Sequence, residues 1–243
     1  MLFKMGYNMR LHDDKEGGCL MPGLEAVGWF KDFTDEQLQE LAKEGMFKQY
    51  DAKEMVFVQG ETLTDYFYVV EGLIQAYHQN EGGKKWIASL FSHGDLFPHT
   101  GLVDEESQYP ANAETLTTCC LFIVKRQKMN ELLSHYPFLE RQLTKFLARK
   151  SQELMNRYAD SVLEPALVQL VSLLKRLSDQ SGARATDGWI RIEHMMTEQD
   201  IAAYLGVTPE TVSRLLNRLY REKRAKSAGR GKIYLNLNRC SSV

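Results

Sequence analysis

The sequence predicts an α+β chain: an N-terminal antiparallel β-barrel or jelly roll, a long helix, and a C-terminal winged helix-turn-helix. Three observations carry this prediction. Short apolar runs separated by turns fill residues 45–124, an apolar period of helical spacing runs through residues 126–161, and two short amphipathic helices flank Gly206. The chain accordingly divides into a lead-in over residues 1–29, a barrel domain over 30–125, a long helix over 126–163 and a winged helix-turn-helix domain over 164–243.

The lead-in mixes charges with Gly17, Gly18, Pro22 and Gly23 and reads as loosely ordered. Residues 34–44 form a short helix with Thr34 at its cap. The barrel strands follow as residues 55–58, 66–70, 73–77 and 86–91, punctuated at Gly60, Gly72, Gly83 and Gly94, and residues 119–124 close the barrel. Through residues 126–161, Leu139, Leu143, Phe146, Leu147, Leu154, Met155 and Tyr158 give an apolar stripe that Lys150 and Glu153 interrupt, suited to a dimer seam. Glu164-Pro165 breaks the helix. A helix then begins at Ala166, a strand at Trp189, and residues 226–237 form a two-stranded wing around Gly229 and Gly231.

Within the helix-turn-helix, Thr197 caps the first helix with Asp200 three residues on, a capping-box pattern, and Gly206 supplies the positive φ that ends it. Thr208 caps the second helix and Pro209 fits its first turn, where its missing N–H has no partner to lose. Val212, Leu215, Leu216 and Leu219 face inward; Glu210, Thr211, Ser213, Arg214, Asn217 and Arg218 are left outward. Those residue types read base edges: arginine bonds guanine twice, glutamate accepts from cytosine N4, and Ser or Thr adapts to either. Thr197, Thr208, Glu210, Thr211, Ser213, Arg214, Asn217 and Arg218 are therefore the candidate contacts to double-stranded DNA. Residues 208–232 carry eight cations and two carboxylates, a local net charge of +6 in a chain whose overall charge is −2, as expected where one end of a molecule meets phosphate.

Hydrophobic content of 44% and charged content of 26% are those of an ordinary globular protein. No apolar run approaches a bilayer span and the first residues lack a signal-peptide core, so a cytoplasmic protein without a membrane partner is expected. Cys19, Cys119, Cys120 and Cys240 have no metal-ligand spacing, and the adjacent pair reads as strand with at least one thiol in the core. His78, His93 and His99 are not spaced as ligands, so no metal is expected. A nucleophile triad, a Walker loop and paired catalytic carboxylates are not found, which argues against an enzyme.

The order barrel, long helix, winged helix-turn-helix resembles the family of the cyclic-AMP receptor protein and the fumarate-nitrate reduction regulator, from about residue 30 to residue 237. Glu210-Thr-Val-Ser-Arg214 is similar to the Glu-x-x-Ser-Arg recognition pattern of the fumarate-nitrate type. Gly60-Glu61, Val70-Glu-Gly72 and Gly94-Asp95 are similar to the family's barrel turns. The resemblance implies a cyclic-nucleotide-binding-like barrel, a homodimeric transcription regulator on palindromic DNA with TTGAT-like half-sites, and RNA polymerase as a partner. It also implies a pocket for an unidentified small-molecule effector near Leu96, Phe97, His99, Tyr109, Asn112, Leu147 and Leu154. Two family sensors are missing. Pro98-His99 and Tyr109-Pro110 stand where cyclic-nucleotide members cradle phosphate with Gly-Glu and Arg-Ser, so cyclic AMP is not expected as a ligand. Cys19 stands without the clustered N-terminal cysteines of the iron–sulfur members, so no such cofactor is expected either.

Two other readings remain open at this point. The chain could be a barrel-type regulatory or protein-interaction module whose helical C-terminus binds protein, or a regulator already competent without a ligand.

Overall fold

A computed structural model describes residues 24, 27–99, 107–181, 188–192, 196–227, 229 and 232–240. Cys19, Arg230, Gly231 and most of the lead-in lie outside the described residues. After a short 3-10 turn at Gly28–Phe30 comes α1 (Asp35–Glu44), whose start is closed by a capping box between Thr34 and Gln37. Eight strands follow: β1 (Gly45–Tyr50), β2 (Met55–Phe57), β3 (Asp65–Glu71), β4 (Ile74–Gln79), β5 (Lys85–Phe91), β6 (Leu96–Phe97), β7 (Asn112–Thr115) and β8 (Cys119–Lys125). They form two antiparallel four-stranded sheets in the orders β1-β8-β3-β6 and β2-β7-β4-β5.

The sheets face each other across stacked aromatic rings. Phe57 of β2 lies 5.6 Å from Phe67 of β3 and 5.9 Å from Phe97 of β6, and Phe91 of β5 stacks on Phe97 at 5.1 Å. Rings at these separations bury large apolar area and add an orientation preference to it. The turn between β3 and β4 requires Gly72. Its φ is +99°, and a Cβ there would sit 2.4 Å from Cys119 Sγ. Cys119 and Cys120 are both buried.

The residues read as one long helix form two, α2 (Arg126–His135) and α3 (Pro137–Leu163). Pro137 is the cause, because its ring keeps the preceding residue out of helical backbone; Tyr136 has φ −122° and ψ 86°. The apolar stripe of α3 also divides. Leu139 and Phe146 are buried against the barrel, with Phe146 edge-on to Trp29 at 5.5 Å, whereas Leu154, Met155, Tyr158, Val162 and Leu163 are exposed. Lys150 does not interrupt the buried half but belongs to it, since its ammonium meets the Asp95 carboxylate at 2.9 Å and both groups are buried.

The C-terminal domain contains α4 (Ala166–Ser181), β9 (Trp189–Ile192), α5 (Glu198–Leu205), α6 (Pro209–Arg221), β10 (Ala225–Ser227), β11 (Ile233–Asn236) and α7 (Leu237–Cys240). Its sheet has the order β10-β11-β9, so the wing strands gain a third partner from before the helix-turn-helix. One apolar cluster joins Leu170, Leu174, Ile201, Val212, Leu216 and Leu219 to Leu73, Ile87 and Leu90 of the barrel. The two domains therefore share a core.

Candidate nucleic-acid interface

Local chemistry forms the helix-turn-helix as the sequence predicts. The Thr197 hydroxyl accepts the Asp200 backbone N–H at 3.0 Å while the Asp200 carboxylate accepts the Thr197 N–H at 3.1 Å. Gly206 closes α5 in the left-handed region with φ +73°. The Thr208 hydroxyl then accepts the Thr211 N–H at 3.3 Å and starts α6. Val212, Leu216 and Leu219 are buried, which turns the opposite face of α6 to solvent.

On that outer face Glu210, Arg214, Asn217 and Arg218 are exposed, as are Thr197 and Thr208, while Thr211 and Ser213 are half-buried. The Arg214 guanidinium donates to Thr211 Oγ1 at 3.1 Å and to the Glu210 carbonyl at 3.4 Å, which holds its planar fork along the N-terminal half of the helix. Glu210's own backbone N–H and the Thr208 hydroxyl hold its carboxyl below its ordinary value. Arg218 sits one turn on and pairs with Glu222 at 2.7 Å, and Arg224 reaches the same carboxylate at 3.4 Å. Glu210, Ser213 and Arg214 thus lie together near the first turns of a solvent-facing helix, the segment that enters a major groove in helix-turn-helix docking. Trp189, with Lys226 Nζ 3.9 Å from its ring centroid, ties the wing to the strand before α5, a contact the sequence reading did not include.

The seven residues expected around an effector pocket have the following surroundings. His99 is edge-on to Phe91 at 5.6 Å and to Phe146 at 6.0 Å, Phe97 joins the central ring stack, and Tyr109 stacks on Phe57 at 4.0 Å. Leu96 is wholly buried, and Leu147 packs against the barrel core. The Asn112 side chain accepts the Gln59 N–H at 3.0 Å. Leu154 is 53% exposed and lines a groove of about 530 Å³ with Arg157, Leu173 and Tyr204. Tyr109 lines another cleft of about 790 Å³ with Lys48, Tyr50, Phe57 and Phe67.

His78, His93 and His99 each have neighbours of their own. His78 stacks on Trp86 at 5.7 Å, His93 bonds the Val70 carbonyl at 2.7 Å, and His99 lies between its two phenylalanines. Among the described residues no group of three or more His, Cys, Asp or Glu is placed to hold a metal ion, and no helix is long and apolar enough to cross a membrane.

A model of the cyclic nucleotide-binding domain matches residues 47–136, and one of the Crp-like helix-turn-helix domain matches residues 168–239. The chain belongs to the CRP/FNR family of transcription regulators. It is 28% identical over 171 residues to the cAMP-activated global transcriptional regulator CRP of Haemophilus influenzae, a match covering 70% of this chain and 75% of that one. The fold is shared with FixK2 of Bradyrhizobium japonicum at a TM-score of 0.70 and 21% identity, over 82% of this chain and 96% of that one. A CooA mutant from Carboxydothermus hydrogenoformans gives 0.69 at 19% identity, over 96% and 97% of the two chains. The protein is a CRP-like DNA-binding transcription regulator, and the exposed face of α6 lies within its matched helix-turn-helix domain.

Proposed function

We propose that this regulator acts as a homodimer on a palindromic site with TTGAT-like half-sites, each α6 presenting Glu210, Ser213 and Arg214 to one half-site. The observation carrying this reading is the ionised Glu210 carboxylate beside the Arg214 guanidinium at the exposed start of α6. Two-fold dimers set paired recognition helices about 34 Å apart, one turn of DNA, and double the sequence read. The exposed Leu154, Tyr158 and Val162 recur every four residues on α3 and supply an unpartnered apolar seam for a second copy.

Cyclic AMP is not its ligand on this reading. Tyr109 stands where nucleotide-binding relatives have arginine, its ring stacks on Phe57, and its hydroxyl meets the Asp65 backbone at 3.3 Å. Lys150, the buried cation over the Phe91 and Phe146 rings, is committed to Asp95. The effector is another small molecule, or none, and the protein works on the transcription machinery in the cytoplasm without catalysis or cofactor. Fluorescence anisotropy of a palindromic TTGAT duplex, with and without cyclic AMP, tests it. Tight, sequence-dependent binding unaffected by the nucleotide is expected; binding only with the nucleotide would reject the ligand reading, and binding equal to that of a scrambled duplex would reject the site.

A further inference from the structure

The carboxylate that caps α5 also reaches into the barrel. Asp200 Oδ2 accepts the Thr197 N–H and hydroxyl and, at 2.9 Å, the Lys53 ammonium; Lys85 Nζ lies 3.5 Å from Oδ1. Lys53 comes from the turn between β1 and β2 and Lys85 begins β5, so both cations belong to the other domain. Asp200 is buried, and an ionised carboxylate is retained away from water only where such partners compensate it.

The backbone supplies a second, independent observation. Lys53 has φ +69° in the left-handed region, where among the described residues Lys223 is the one other non-glycine. A side chain held there is strained and persists where surrounding contacts impose it. Glu114 approaches the same ammonium at 3.6 Å, and its carboxylate is itself held by the Gln75 amide at 2.9 Å. Lys85 also lies over the Tyr77 ring at 4.0 Å, so each lysine is fixed on its barrel side.

We infer that Asp200 is a positioning residue for DNA binding: through Lys53 and Lys85 it docks the helix-turn-helix on the barrel of its own chain and sets where α6 stands. The two helices α5 and α6 move together because Ile201, Ala202, Val212 and Leu216 share one core. Fixing Asp200 therefore fixes the recognition face. Glu164 and Pro165 alone join α3 to α4, a short joint that leaves the domain's angle to such contacts. A domain already held in its bound orientation loses less freedom when it meets DNA.

Two variants separate this role from capping. Asp200→Asn keeps an acceptor for the Thr197 N–H and removes the charge. Lys53→Asn with Lys85→Met leaves α5 untouched, and asparagine tolerates the left-handed backbone. In the full-length chain with Cys19→Ser, spin labels at Glu81 and Arg221 report the distance between the β4–β5 turn and the end of α6. A narrow distribution is expected for the parent and a broad one for both variants, together with operator affinity lowered about fivefold or more. A distribution that stays narrow in both variants overturns the docking role, and affinity that is unchanged or higher overturns the positioning role. Failure of the parent itself to bind the operator would count against the proposed half-site alone, because the label distances do not depend on DNA.

Discussion

Lys150 Nζ and Asp95 Oδ2 are 2.9 Å apart inside the protein, one from the middle of α3 and the other from the turn that leads into β6. From this pair a line of polar contacts crosses the molecule. Lys150 meets Glu153 at 3.5 Å, Glu153 meets Arg176 of α4 at 3.0 Å, and Arg176 reaches the Tyr204 hydroxyl of α5 at 3.4 Å. Arg157 runs parallel, donating to the Ala88 and Ile87 carbonyls of β5 at 2.8 and 3.0 Å while its guanidinium lies 4.6 Å from the Tyr204 ring centroid. Barrel, helix and DNA-binding domain are thus joined by contacts of fixed geometry.

Removing Lys150 takes away the nearest cation of the buried Asp95 carboxylate and leaves it Arg149 at 3.5 Å and the Ser92 N–H. Lys150→Ala is expected to cost about 3–5 kcal/mol, read as a lower urea midpoint, and Lys150→Met with Asp95→Asn is expected to recover part of that loss.

His99 gives a pH dependence with a definite sign. Burial, and next the Lys150 charge, hold its imidazole below the ordinary value, although Asp95 and Glu153 oppose this. The folded state then binds its proton less readily than the unfolded state, so the stability it supports is present above about pH 6.5 and is lost as pH falls through that value toward the folded one. His99→Phe, which keeps a ring between Phe91 and Phe146, is expected to flatten the melting temperature against pH below neutrality relative to the parent. An unchanged slope would remove His99 from the account.

The seam on α3 is open to a direct check. Tyr158→Glu with Val162→Glu places carboxylates on the exposed apolar face without touching the barrel, and sedimentation equilibrium is expected to show a shift toward monomer. The same variant is expected to lose cooperative binding to the full palindrome while still binding DNA non-specifically.

Thr208→Ala removes the hydroxyl that caps α6. A loss of about 1 kcal/mol in stability is expected, measured by denaturant titration, together with weaker operator binding because the turn it caps carries Glu210 and Arg214.

Much of this architecture is written locally. Thr34, Thr197, Gly206 and Thr208 act on residues within one helical turn, and for that reason their effects are readable from spacing alone. Pro137 is equally local, yet the apolar period running through it conceals the break it causes. Long-range pairings leave no such mark. Lys150 reads as an interruption of an apolar stripe because nothing near it in sequence announces Asp95, 55 residues away. Asp200 reads as a cap because Lys53 is 147 residues distant. The contacts of Phe57 with Tyr109 and Phe97, and of Phe97 with Phe91, are equally silent in the sequence, because they depend on how the two sheets meet.

The measurement that bears most directly on the central claim is a titration of a palindromic TTGAT duplex with parent and Arg214→Ala protein at two salt concentrations. The account predicts tight binding by the parent that weakens steeply with salt, and a loss of about 1–3 kcal/mol in the variant with relaxed preference at one base pair of each half-site. Equal affinity and equal sequence preference in the two proteins would contradict it.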